Sequence, residues 1–151
     1  MQEIRKCNVQ DFNLLLDFLK KVDSSFPIPL SQKQDISLFL NKACKYGEIY
    51  AFFENGIIVA AVFFYANDII SKTSYISVLA VLSEYYGNGF ATALVKKTIL
   101  VSKKQEMKKI RLYTHKTNIS AISLYQKLGF KPHSDDNRPD DILFVLNLGD
   151  F

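Results

Sequence analysis

The sequence predicts an α+β fold with a central, mixed, mostly antiparallel twisted sheet of about six or seven strands flanked by about four helices. Three observations point there. Two apolar runs, residues 48–54 and 57–66, are joined by Asn55-Gly56, the dipeptide that best tolerates the positive φ angles of a two-residue hairpin turn. Later in the chain strand-like and helix-like patterns alternate, and crossover helices of this kind set neighbouring strands parallel. Finally, 151 residues with 48% apolar and 23% charged side chains suit a globular chain, expected to form one domain over residues 1–151.

Each element has its own signal. A short strand around residues 4–7 opens the chain. Asn8 offers a side-chain acceptor to free helix amides, and Phe12, Leu15, Leu16, Leu19 and Val22 follow at helical spacing. The stretch SSFPIPL, residues 24–30, ends that helix because its prolines hold the backbone extended. Ser31 with Gln34 reads as a capping box for a second helix, with Ile36, Phe39, Leu40 and Ala43 as its apolar stripe and Gly47 as its stop. After the hairpin come a strand over 73–81 (TSYISVLAV) and a helix over 89–104 that buries Ala91, Leu94, Val95 and Thr98. Residues 110–115 read as a strand and 118–128 as a helix stopped by Gly129. A short strand at Phe130 and a last one over 142–148 flank the polar loop SDDNRPDD.

Lys and Arg outnumber Asp and Glu by 19 to 15, in pairs spread along the chain such as Lys20-Lys21 and Lys103-Lys104. A nucleic-acid surface concentrates its excess in one stripe, so no nucleic-acid partner is expected and a small anionic ligand suits the surplus better. Cys7 and Cys44 have no paired spacing and no His nearby to complete a zinc set; they read as reduced, buried residues of a cytoplasmic protein without a metal. The longest apolar run, residues 57–66, is about half the length of a membrane span, so no membrane partner is expected.

The segment YYGNGFATALVKK, residues 85–97, carries the first chemical signal. Gly87 and Gly89 stand between a strand and a helix, where consecutive backbone N–H groups point outward at the positive end of a helix dipole. Such a turn is a ready anion site, although glycines there also serve plain turn geometry. A dinucleotide fingerprint would need a small residue at Thr92 and an acid at the end of the next strand, which instead ends in Tyr113, Thr114 and His115. A nucleoside-triphosphate loop would need Gly-Lys-Ser/Thr, which is absent.

YISVLAV followed by YYGNGFATALV, and then NISAISLYQKLGF, resemble the GNAT superfamily of acyl-CoA-dependent N-acetyltransferases over nearly the whole chain. The family pattern Gln/Arg-x-x-Gly-x-Gly/Ala falls on Tyr86, Gly87, Asn88, Gly89, Phe90 and Ala91, with Tyr86 in place of the usual first residue. Asn118, Ala121, Leu124-Tyr125 and Gly129-Phe130 match the second motif. The resemblance implies that acetyl-CoA is the co-substrate. Its diphosphate would be held by the backbone of Gly87, Asn88, Gly89, Phe90, Ala91 and Thr92, and its pantetheine laid along Leu79, Ala80 and Val81 like an added strand. A V-shaped opening between the strand ending at Val81 and the one starting at Ile110 would supply that edge. Lys96, Lys97 and Lys127 are candidates for the terminal phosphate.

The resemblance gives Tyr125 the role of proton donor to the departing thiolate and adds a coenzyme contact to Asn118, which is also the natural N-cap of its helix. An ordinary phenol titrates near ~10 and a thiol near ~8.5, so complete proton transfer would be uphill by about 2 kcal/mol. Related peptide N-terminal acetyltransferases often carry Glu where this chain has Tyr113, which leaves His115, Glu84 or a water relay as the base. The acceptor site falls to SSFPIPL and the loop before the last strand, whose Asp135, Asp136, Asp140 and Asp141 read as a solvated turn rather than an amine receptor. The expectation is acetyl transfer to the primary amine of a small molecule by direct attack in a ternary complex. A peptide acceptor and a non-catalytic CoA-binding module are the alternatives. A homodimer is left open, as is the acyl-chain preference.

Overall fold

The computed structural model describes residues 3–149, so residues 1, 2, 150 and 151 of the expected domain lie outside it. Seven strands, β1 (Arg5–Lys6), β2 (Glu48–Glu54), β3 (Ile57–Tyr65), β4 (Thr73–Val81), β5 (Lys109–His115), β6 (Lys131–His133) and β7 (Asp141–Asn147), form one sheet. Five helices accompany them: α1 (Phe12–Val22), α2 (Leu30–Lys33), α3 (Ile36–Tyr46), α4 (Phe90–Lys104) and α5 (Ile119–Lys127). The strand order is β1-β2-β3-β4-β5-β7-β6, with β4 and β5 parallel and every other pair antiparallel.

The hairpin forms as its sequence requires, with Asn55 at φ 51° and Gly56 at φ 80°. It places β3 in the middle of the sheet, where every residue from Ile58 to Phe64 is buried because α1, α3 and α4 cover it. Phe39 of α3 meets Phe63 on one side, and Phe90 at the start of α4 stacks on Phe52 with ring centroids 4.4 Å apart.

Two local expectations need correction. Ser31 and Gln34 do not cap a helix: Ser31 lies inside the short α2, its N–H and hydroxyl both bonded to the Asp23 carboxylate. Asp35 caps α3 instead, its Oδ1 accepting from the Leu38 N–H at 3.0 Å. The other correction is that Phe130 is a core residue at 1% exposure rather than a strand, and the short strand begins one residue later, at Lys131.

The feature that positions the site is a divergence. β4 and β5 are paired only from Thr73↔Lys109 to Tyr75↔Arg111, after which they separate. Just there β4 bulges: Phe64 is opposite Ile76 and Phe63 is opposite Val78, so Ser77 is the extra residue. The bulge exchanges the faces of β4. Tyr75 lies on the α3 side, across from Tyr65, whereas Val81 lies across from Ala60, itself the partner of Phe52, on the α4 side. One extra residue thus aims the two halves of the strand at different surfaces.

Candidate active site

Beyond the bulge, the N–H of Leu82 donates to the Val59 carbonyl at 2.8 Å. The alternation of an antiparallel ladder then turns the main chain of Ala80 toward β3 and that of Leu79 and Val81 outward, into the opening beside β5. These outward groups form the free edge expected beside Val81. Ala80 does not share it, being 7% exposed and outside the cleft lining.

At the end of this edge the chain passes through the turn Ser83–Tyr85 and enters α4. Gly87 at φ 83° and Gly89 at φ 77° hold left-handed backbone, and a Cβ at either would touch nothing within 4 Å, so the dihedral alone demands glycine. Gly89 is the N-cap of α4 and gives it no side-chain cap, so the first amides of a 15-residue helix are left for an outside acceptor. Asn88 turns away and donates Nδ2 to the Tyr85 carbonyl at 3.0 Å.

A cleft of about 470 Å³ connects these parts. Leu79, Val81, Gly87, Gly89, Phe90, Ala91, Thr92, Asn118 and Tyr125 from the sequence expectations all line it, while Ala80 and Asn88 do not. The open strand edge and the uncapped helix start fit a ligand that carries amides at one end and an anionic diphosphate at the other. Ser25 and Phe26, far away in sequence, also border this cleft; they belong to SSFPIPL, the segment expected on the acceptor side.

A second, smaller cleft of about 120 Å³ lies on the other side of the divergence, lined by Tyr113 and His115 of β5 and by Phe26 and Ile28 before α2. Asn118, Ala121 and Tyr125 border both clefts. The Asn118 Oδ1 caps α5 by accepting from the Ala121 N–H at 3.4 Å, while its Nδ2 donates to no group among the described residues. Tyr125 is 5% exposed, packed edge-on against Phe130, and its hydroxyl has no partner among the described residues. Burial pushes its phenol well above the usual tyrosine value. A phenol that holds its proton and has no internal partner at the junction of two clefts is a hydrogen-bond donor available to whatever occupies them.

The two side chains considered as base separate clearly. His115 lines the smaller cleft, its Nδ1 2.8 Å from the Thr117 hydroxyl. Glu84 lines neither cleft, is exposed, and its carboxyl is held below the usual range by the Ser83 hydroxyl at 2.8 Å. The acidic loop is not a plain solvated turn. Tyr113 donates to Asp135 at 2.7 Å, Arg138 stacks on Tyr113 at 3.6 Å and pairs with Asp141, and Lys116 pairs with Asp140. Asp135 and Asp141 hold the loop against β5, while Asp136 and Asp140 stay exposed as a solvated turn leaves them.

The family model for the acetyltransferase (GNAT) family matches residues 15–130, and the chain belongs to that family. It is also similar to N-alpha-acetyltransferase 30, with 44% identity over 59 residues of the Homo sapiens protein and 41% over 56 residues of the Schizosaccharomyces pombe one. These matches cover 39% and 37% of this chain, and only 16% and 37% of those relatives' own lengths. Among solved structures, the Escherichia coli ribosomal-protein-S18-alanine N-acetyltransferase superposes with a TM-score of 0.79 at 18% identity, over 99% of this chain and 95% of that one. The Thermoplasma acidophilum PaiA N-acetyltransferase in complex with coenzyme A gives 0.79 at 19% identity, over 97% and 99%. These likenesses support the fold. Among the described residues, no helix is long and apolar enough to cross a membrane and no group of three or more His, Cys, Asp or Glu could hold a metal ion.

Proposed function

We propose that the protein transfers an acetyl group from acetyl-CoA to the free amine of a polypeptide, with both substrates held in one ternary complex. The observation that carries this reading is the divergence of β4 from β5, which opens one cleft on each side of Tyr125. Acetyl-CoA supplies the acyl group already activated as a thioester. The outward main chain of Leu79 and Val81 would align its pantetheine amides, and the free amides from Gly87 to Thr92, with the Asn118 Nδ2, would hold its phosphates.

Tyr125 would donate a hydrogen bond to the departing sulfur. Its raised pKa makes outright proton loss costlier than an ordinary phenol's, so its part would be a hydrogen bond that strengthens as charge develops on the sulfur. On the other side, an amine must be neutral to attack, and His115, which lines the smaller cleft, would take up the surplus proton.

The sequence alone inclines toward a small-molecule acceptor, partly because Tyr113 replaces a family Glu. The N-alpha-acetyltransferase relatives support a polypeptide amine instead, and His115, which lines the smaller cleft with Tyr113, offers a different base. Thiol release from acetyl-CoA, measured over short peptides, amino sugars and polyamines, tests the proposal. Turnover of peptides with the acetyl located on the α-amine by mass spectrometry is expected; turnover of small amines alone would overturn it.

A further inference from the structure

A third cleft, of about 500 Å³, lies away from Tyr125 on the α3 side of the sheet, between Lys42 and Tyr46 of α3, Tyr65, Tyr75 and Arg111. Among the described residues its two cations, Arg111 and Lys42, make no close ion pair, although the charge of Arg111 is felt by Asp68 in the same lining. The Arg111 guanidinium sits 4.8 Å from the Tyr75 ring, and the Lys42 Nζ 5.7 Å from the Tyr65 ring. The one carboxylate in the lining, Asp68, is engaged by the Ser71 hydroxyl and the N–H groups of Ile70 and Ser71. Beside it the loop between β3 and β4 holds Ile69 and Ile70 in solvent at 75% and 94% exposure, an apolar pair of the kind that marks a contact with another molecule.

This cleft lies next along β5 from the acceptor side. Arg111, Tyr113 and His115 alternate along β5 on one face, which the Tyr75↔Arg111 register makes the face of Tyr75. Arg111 also lies 6.0 Å from the Tyr113 ring, so Tyr113, with Arg138 stacked on it at 3.6 Å, stands between the third cleft and the acceptor cleft. Four residue steps along the strand separate Arg111 from His115, roughly 13 Å, a span that an extended peptide covers in about four residues.

Resting on the reading of a polypeptide acceptor, we propose that this tyrosine and arginine cleft is a specificity subsite for an acidic side chain carried about three to five residues after the reacting amine. The carboxylate would meet the unpaired Arg111, with Lys42 adding to the positive field, and the chain beyond it would pass over Tyr75 toward Ile69 and Ile70. An exposed charged pair of this kind confers selectivity of a few-fold and is weakened by salt.

The test uses eight-residue peptides with a free α-amine and Glu, Gln or Lys at the fourth position, assayed with the full chain and acetyl-CoA. The Glu peptide should exceed the Gln peptide about five-fold in kcat/KM at low salt, through KM rather than kcat, with Lys below both. Arg111→Gln should bring the Glu-to-Gln ratio to near one, Arg111→Lys should restore part of it, and added salt should erode it. Equal kcat/KM for the Glu and Gln peptides in the parent protein would overturn the subsite while leaving peptide acetylation standing. If no peptide is acetylated, the acceptor reading falls, and fluorescence anisotropy of a labelled Glu peptide then decides the subsite. Binding lost in Arg111→Gln supports it, and binding indifferent to Arg111, or displaced equally well by an oligonucleotide, overturns it.

Discussion

The two sides of the divergence are built by different means. The larger cleft is assembled mainly from two contiguous stretches, Leu79 to Thr92 and Asn118 to Tyr125, with Ser25 and Phe26 at its border, and its distinctive chemistry resides in main-chain groups whose direction follows from strand, turn and helix geometry. The acceptor side is assembled from segments scattered through the chain: Phe26 and Ile28, Tyr113 and His115, and a loop held down by Tyr113, Asp135, Arg138 and Asp141. There the chemistry resides in side chains. Backbone-built sites tolerate sequence change and bind a common ligand, while a side-chain-built site varies residue by residue and sets the choice of partner.

Substitutions at the junction and on either side sharpen that contrast. The largest effect is expected at Tyr125, which both clefts share. Tyr125→Phe should lower kcat by roughly 100-fold, the scale of a positioned proton or hydrogen-bond donor, with acetyl-CoA affinity unchanged by calorimetry. Because burial raises the phenol, kcat of the parent protein should not fall as pH passes the ordinary tyrosine value of about 10. Loss of rate there would show that the ring is not held dry.

Next in size is the turn. Gly89→Val places a β-branched residue at φ 77°, a strain of about 1–2 kcal/mol that also misaligns the free amides. Acetyl-CoA affinity should fall about ten-fold by titration calorimetry, with the acceptor KM little changed. A normal affinity would separate the amides from the ligand.

Asn118 distinguishes a structural duty from a ligand contact. Asn118→Ala should cost about 1 kcal/mol of stability through the lost cap, read in thermal unfolding. Asn118→Asp keeps the accepting oxygen and replaces the free Nδ2 with negative charge, so stability should hold while the KM for acetyl-CoA rises a few-fold.

The smallest effect belongs to the acceptor loop. The Asp135 carboxyl is held below its usual range chiefly by the Tyr113 hydroxyl, and Asp140 by Lys116. With folded values depressed, their contribution is present above the ordinary carboxylate pKa of about 3.9 and is lost as pH falls through the lower folded values. Hydrogen exchange of residues 134–140 should therefore accelerate only in that acid window, and earlier in Tyr113→Phe. Exchange that ignores Tyr113 would mean the loop is held otherwise.

Much of the fold is legible because short-range signals agree with long-range ones. Asn55-Gly56 sets the hairpin turn and its first pairs, Glu54↔Ile57 and Phe53↔Ile58, before a bulge at Val59 shifts the register, and the apolar stripes of α1 and α3 face β3 as their spacing implies. Where local patterns compete, the outcome is not legible. Ser31 with Gln34 and Asp35 are both good cap signals, and the contact between Ser31 and Asp23, eight residues away, decides between them. The same holds for the acidic loop, which resembles a solvated turn until Tyr113 and Lys116 are brought to it by strand pairing.

The sequence by itself determined the glycine turn, the helix that follows it, and the cap at Asn118, since each depends on dihedral preference and groups a few residues apart. Only the tertiary structure decided that Ser77 bulges, that Leu79 and Val81 rather than Ala80 face the opening, and that Tyr125 stands between two clefts. Those outcomes follow from the pairing of β4 with β3 on one edge and its parting from β5 on the other, and pairing between distant strands leaves no mark on the local pattern of either.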